Sequence, residues 1–80
     1  MSAWKEGRIV RRTLELGDDA EIVQELENYG YGWAVCSSAV REDDVADGRW
    51  ARAKSLREAK GLANRHVAEL RETWASEGRT

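Results

Sequence analysis

Residues 55–74, SLREAKGLANRHVAELRETW, decide the fold. Ser55 followed by Glu58 forms a capping box, in which each side chain satisfies a free backbone N–H of the other residue where a helix begins. Leu56, Ala59, Ala63, Val67, Leu70 and Trp74 then recur at spacings of three and four, which puts them on one helical face. Arg57, Glu58, Asn64, Arg65, Glu69, Arg71 and Glu72 cover the remainder. An amphipathic helix over about 56–76 is expected, with an apolar stripe that must be covered by another layer. Gly61 costs about 1 kcal/mol relative to Ala inside a helix, so it is expected to mark close approach to that layer. Gly78 ends the helix or lies in a frayed tail.

The covering layer lies upstream. Trp33 to Val40 and Arg49 to Lys54 read as strands joined by a polar loop, Arg41 to Gly48. In the second run Ala51 and Ala53 alternate with Trp50, Arg52 and Lys54, so one face is small and apolar and the other large and cationic. One helix covers only one face of so small a sheet, and the alanines suit its close approach. Trp50, Arg52 and Lys54 should then point away from the helix. In the first run Trp33 and Val35 share one face while Ala34, Cys36 and Val40 share the other, and which of these meets the helix stays open.

Arg8 to Leu16 reads as a strand from its β-branched start. Residues 18–29 admit two readings. As a strand, Ala20, Ile22 and Leu26 alternate after a turn at Gly17-Asp18-Asp19. Pairing Leu16 with Glu21 would then set Leu14 opposite Val23 and Arg12 opposite Glu25. As a helix, Asp18 caps, Glu21 closes the box, Ile22, Val23, Leu26 and Tyr29 line a face, and Gly30 terminates. The hairpin is preferred. The expected fold is therefore α+β: a single domain, residues 1–80, with an antiparallel meander of three or four strands over about 8–54 and a C-terminal amphipathic helix packed on one face.

Composition agrees with one small folded domain. Hydrophobic residues make up 41% and charged residues 35% of the 80, a balance that suits a soluble globule and opposes disorder. No apolar run approaches the length of a membrane span, and the N-terminus lacks the apolar stretch of a secretory signal. One Cys makes neither an internal disulfide nor a Cys-based zinc site. These features point to the reducing cytoplasm. The net charge of −2 is unevenly spread, with Lys5, Arg8, Arg11 and Arg12 at the start, an acidic stretch from Glu15 to Asp47, and a basic final third. Acidic and basic strands lying side by side would account for this.

No catalytic, metal or cofactor motif emerges. His66, the single histidine, sits at the flank of the apolar stripe with no nucleophile or carboxylate orienter nearby in sequence. Cys36 has no basic neighbour to activate it. The loop from Glu42 to Gly48 superficially matches a calcium loop, but Val45 and Lys54 fall where ligands are required. Tyr29-Gly30-Tyr31-Gly32 leads into a strand and opens no helix, so it makes a turn and no phosphate loop.

Arg49, Trp50, Arg52, Lys54, Arg57 and Lys60 form the most suggestive set. They are expected to bring an exposed Trp, a cationic strand face and a helix N-terminus together as a partner-binding surface. A sheet face bearing Trp and Arg beside a helix resembles the AP2-like and integrase arm-binding domains over roughly residues 33–70, which implies nucleic-acid binding; the acidic middle of the chain departs from that pattern and would repel phosphate. The chain also resembles the short, charge-rich accessory proteins of phages and mobile elements, which implies binding and modulation of one bacterial host protein. The expectation is a non-catalytic protein-binding module, engaging a protein partner or a second copy of itself, with a nucleic-acid-binding domain using the Trp/Arg sheet face as the alternative.

Overall fold

The computed structural model of the protein describes residues 4–5, 9–17, 19–42 and 44–77. Strands β1 (Ile9–Gly17), β2 (Ala20–Asn28), β3 (Trp33–Arg41) and β4 (Asp44–Ala53) precede one helix, α1 (Leu56–Ser76). The strands pair antiparallel with their sequence neighbours in the order β1-β2-β3-β4. The fold is the expected α+β meander, in its four-stranded form, and α1 returns across one face, chiefly over β3 and β4. Ser55 caps the helix as its sequence requires, its Oγ accepting from the Glu58 N–H at 3.1 Å. The stripe of Ala59, Ala63, Val67, Leu70 and Trp74 is buried against the sheet; Leu56 is half-buried at its start.

Residues 20–28 form a strand, as preferred. The register differs from expectation by one residue: Leu14 faces Ile22, Arg12 faces Gln24, and Glu25 lies opposite Arg11. The reason is parity. Residues directly opposite one another in an antiparallel pair share a face, so the inward Val10 and Leu14 must meet the inward Leu26 and Ile22. An irregularity between Glu15 and Gly17 absorbs one residue before the turn.

Most of the polar loop expected at 41–48 is strand. Arg41 already pairs with Asp44, and Val40 with Val45, with a bulge taking up Ala46. The turn is tight and holds Glu42 at φ 52°. The polar composition that suggested a loop belongs instead to an edge strand, where charges discourage pairing with another chain. Between β2 and β3, Asn28 Oδ1 accepts from the Gly30 N–H at 2.7 Å, and Gly30 takes φ 97°. A Cβ on Gly32 would lie 2.7 Å from the Ala53 carbonyl oxygen, so this glycine lets the turn pass beneath the end of β4. Gly61 is different from what its position suggested. It faces solvent with no atom near its missing Cβ, because the closely packed small residues of α1 are Ala59 and Ala63. Gly78 lies outside the described residues.

Two apolar clusters fill the space between helix and sheet. One contains Val10, Leu26, Val35, Ala53, Ala59 and Ala63, flanked by Trp4, Trp33 and Leu56. The other contains Ala20, Ile22, Ala39, Val67, Leu70 and Trp74, flanked by Leu14 and Leu16. Between them the registers align Arg12, Gln24, Ser37 and Arg49 as one polar rung across all four strands, beneath the helix.

Candidate functional site

The polar rung is the first place where chemistry could reside. Gln24 is fully buried, and its amide nitrogen donates to Ser37 Oγ (2.9 Å) and to the Ala63 carbonyl (2.7 Å). Its oxygen accepts from Arg12 Nε at 2.6 Å, while Arg12 Nη2 reaches Asn64 Oδ1 at 2.7 Å. Ser37 Oγ lies 2.9 Å from His66 Nδ1. The hydroxyl accepts from Gln24, and with a neutral His66 carrying its proton on Nε2 the hydroxyl proton goes to Nδ1, which completes the network. Burial pushes the His66 pKa down; Glu69 opposes this and Arg49 and Arg65 reinforce it. On the far end, Arg49 donates to Asp47 (2.9 Å) and Thr73 Oγ1 (3.2 Å) and lies 3.6 Å from Glu69. Trp4 stacks on Arg12, 4.1 Å from the guanidinium carbon to the ring centroid.

Sequence distance hid the Ser37–His66 contact, since nothing near His66 along the chain offers a hydroxyl. The signal that could have exposed it is the polar residue at the inward position of each strand, Arg12, Gln24, Ser37 and Arg49. A hydroxyl hydrogen-bonded to a histidine is the geometry of an activated nucleophile. Here Ser37 is 1% exposed and His66 6% exposed, sealed between helix and sheet, so no substrate carbonyl can approach the oxygen. The pair is a satisfied buried network, of the kind that specifies one packing arrangement.

The helix-free face of the sheet is the second place. Its side chains follow from the registers: Ile9, Arg11, Thr13 and Glu15 on β1; Glu21, Val23, Glu25 and Glu27 on β2; Ala34, Cys36, Ser38 and Val40 on β3; Val45, Gly48, Trp50 and Arg52 on β4. Trp50 is 58% exposed and Val45 67%. The Arg52 guanidinium lies over the Trp50 ring at 5.2 Å. Ala53 is buried and Ala51 half-buried on the opposite side, so the alternation read from Arg49 to Lys54 is realised in space. Trp4 packs on the helix side, against Arg12 and the first cluster, and does not cover Trp50.

The six residues singled out by sequence do not form one patch. Trp50 and Arg52 share the open face. Arg49 has the opposite parity and is held under the helix by Asp47, Glu69 and Thr73. Lys54 lies in the bend after β4, exposed, while Arg57 and Lys60 are on α1, across the sheet from Trp50. In place of the missing cations, the open face carries carboxylates. Arg11 pairs with Glu25; Glu15, Glu21 and Glu27 have no ion-pair partner among the described residues. A shallow depression at the turn end of the face is lined by Glu15, Asp19, Glu21 and Glu42. Cys36 senses this field: partial burial, then Glu25 and Glu27, push its thiol above the ordinary value.

Among the described residues no cluster of His, Cys, Asp and Glu could hold a metal ion, and no helix is long and apolar enough to cross a membrane. The geometry defines a small α+β domain with one covered and one uncovered sheet face. Comparison with family models, curated proteins and solved structures finds no match to the chain.

Proposed function

We propose that this protein is a non-catalytic protein-binding module that engages its partner through the helix-free sheet face. The observation that carries the reading is Trp50, more than half exposed towards the C-terminal end of β4, with Arg52 stacked on it. Trp and Arg are the residue types that dominate binding energy at protein interfaces, and an uncovered face bearing them is maintained against its cost in solubility when a partner covers it. The carboxylates of β1 and β2 weigh against nucleic acid, whose phosphates would meet Glu21, Glu25 and Glu27 directly. Partial burial, then Glu25 and Glu27, raise the Cys36 thiol above its ordinary value, which weakens it as a nucleophile, and the Ser37–His66 pair is closed to solvent. Modulation of a bacterial host protein fits this mode of action, since occupying a surface requires no chemistry.

The test is affinity capture from a nuclease-treated bacterial lysate with the wild type, Trp50→Ala and Arg52→Glu, each checked by circular dichroism. Capture of a protein by the wild type and its loss by about 30-fold or more in Trp50→Ala, with the fold intact, is the expected result. Equal capture by all three proteins, or capture abolished by the nuclease, overturns the reading.

A further inference from the structure

The open face has a shape as well as a composition. Every outward side chain of β3 is small or short, Ala34, Cys36, Ser38 and Val40, and these make the floor of a trough. One wall is β2, with Glu21, Val23, Glu25 and Glu27; the other is β4, with Val45, Trp50 and Arg52. The wall strands lie two strand spacings apart, about 10 Å between backbones, so a helix about 10–12 Å across would rest on the wall side chains above the small residues of the floor. From Ala34 to Val40 the floor runs about 20 Å, the length of about 14 helical residues.

We infer that this trough seats one cationic amphipathic helix of a protein partner, its apolar stripe on Val40, Cys36, Ala34 and the Trp50 ring and its Lys or Arg side chains on Glu21 and Glu27. The inference rests on the protein-binding reading and names the partner's chemistry. A sheet face offers no backbone donors or acceptors, so an extended peptide laid there would bury N–H and C=O groups without partners; a helix satisfies its own. The charge follows from the described residues of the open face, where Glu15, Glu21, Glu25 and Glu27 outnumber Arg11 and Arg52; Arg11 is committed to Glu25 and Arg52 lies over the Trp50 ring on the far wall, so Glu21 and Glu27 keep no ion-pair partner among the described residues. A second copy of this chain would bring the same excess of carboxylates into the contact and double it. An acidic or neutral helix would desolvate Glu21 and Glu27 with nothing to pair them. The depression lined by Glu15, Asp19, Glu21 and Glu42 extends the acidic field beyond the end of the trough.

Cys36, the single cysteine of the chain, lies on the trough floor and reports its occupancy. The experiment uses two synthetic peptides, each about five helical turns long, one with Leu and Lys and the other with Glu at every Lys position. Alkylation of Cys36 by iodoacetamide is followed with each, alongside the Trp50 indole resonance by NMR. The Lys peptide is expected to slow alkylation about tenfold when present at about ten times its Kd, and to shift Trp50, while the Glu peptide does neither. The double variant Glu21→Lys/Glu27→Lys, compared with its own peptide-free rate, is expected to reverse the preference. Equal protection by both peptides, or none by the Lys peptide, overturns the inference. So does protection without peptide that rises with protein concentration and tracks a doubled mass, or protection by a DNA oligonucleotide. Trp50-dependent capture of a lysate protein that survives the Glu21/Glu27 reversal leaves the face a protein-binding surface and removes the cationic helix; capture independent of Trp50 removes both.

Discussion

Protonating His66 would place a second proton on a ring whose Nδ1 already receives the Ser37 hydroxyl proton, and would put a charge between two apolar clusters. Burial, the largest influence on its pKa, lowers it below the ordinary value of a free histidine. The sign follows from linkage. The unfolded chain binds the proton more readily than the folded one, so the stability contributed by neutral His66 is fully present above about pH 6.5 and is lost as pH falls through the lower folded-state pKa. Wild-type stability is therefore expected to decline as pH falls below about 6.5. His66→Gln, whose amide oxygen accepts from Ser37 without titrating, is expected to flatten the profile in that window. Chemical denaturation at a series of pH values measures it, and parallel profiles for the two proteins would refute the assignment. The alternation of residues 33–40 left open which face meets the helix, so neither the inward position of Ser37 nor its pairing with His66, 29 residues away, was legible in sequence.

At the scale of elements, α1 was the most readable part of the chain because its signals are local. The cap, the stripe and the length of the helix all follow from residues within three or four positions of one another, and Ser55, Ala59 to Trp74 and the Leu56 start are where the spacing puts them. Gly61 shows the limit of local reading, since spacing does not reveal what stands opposite a position. It lies on the solvent side with nothing near its missing Cβ, and its φ is not in the left-handed region. Gly61→Ala is accordingly expected to stabilise the protein by about 1 kcal/mol, raising Tm by about 4–8 °C. A drop in Tm would show that this glycine serves a contact. The β1–β2 hairpin shows the same limit: alternation identified both strands, yet the register depends on which parity faces the helix. The β3–β4 hairpin was underestimated because polar edge-strand residues have the composition of a loop.

At the scale of the whole molecule, one 21-residue helix bridges both halves of a core that a polar rung divides. Ala59 and Ala63 serve one half, Val67, Leu70 and Trp74 the other, and Gln24 ties the helix backbone to the sheet between them through the Ala63 carbonyl. The halves are therefore expected to unfold together. Leu70→Ala, 1% exposed in the second half, should cost about 2–5 kcal/mol, and tertiary probes in the first half should melt at the same lowered temperature as those in the second. An unchanged melt would remove the packing arrangement, and two separate transitions would show that the rung insulates the halves. The sequence alone determined the α+β class, the boundaries of the helix and the alternation that sets Trp50 and Arg52 on the face opposite Ala51 and Ala53, because each of these rests on periodicity within a single element. Only the tertiary structure decided that Arg49 turns inward to Asp47 and Glu69, that Ser37 meets His66, and that the Trp50 face also carries the outward carboxylates of β2. Those facts depend on strand register and on which face the helix covers, and both are settled by contacts between residues far apart in the chain.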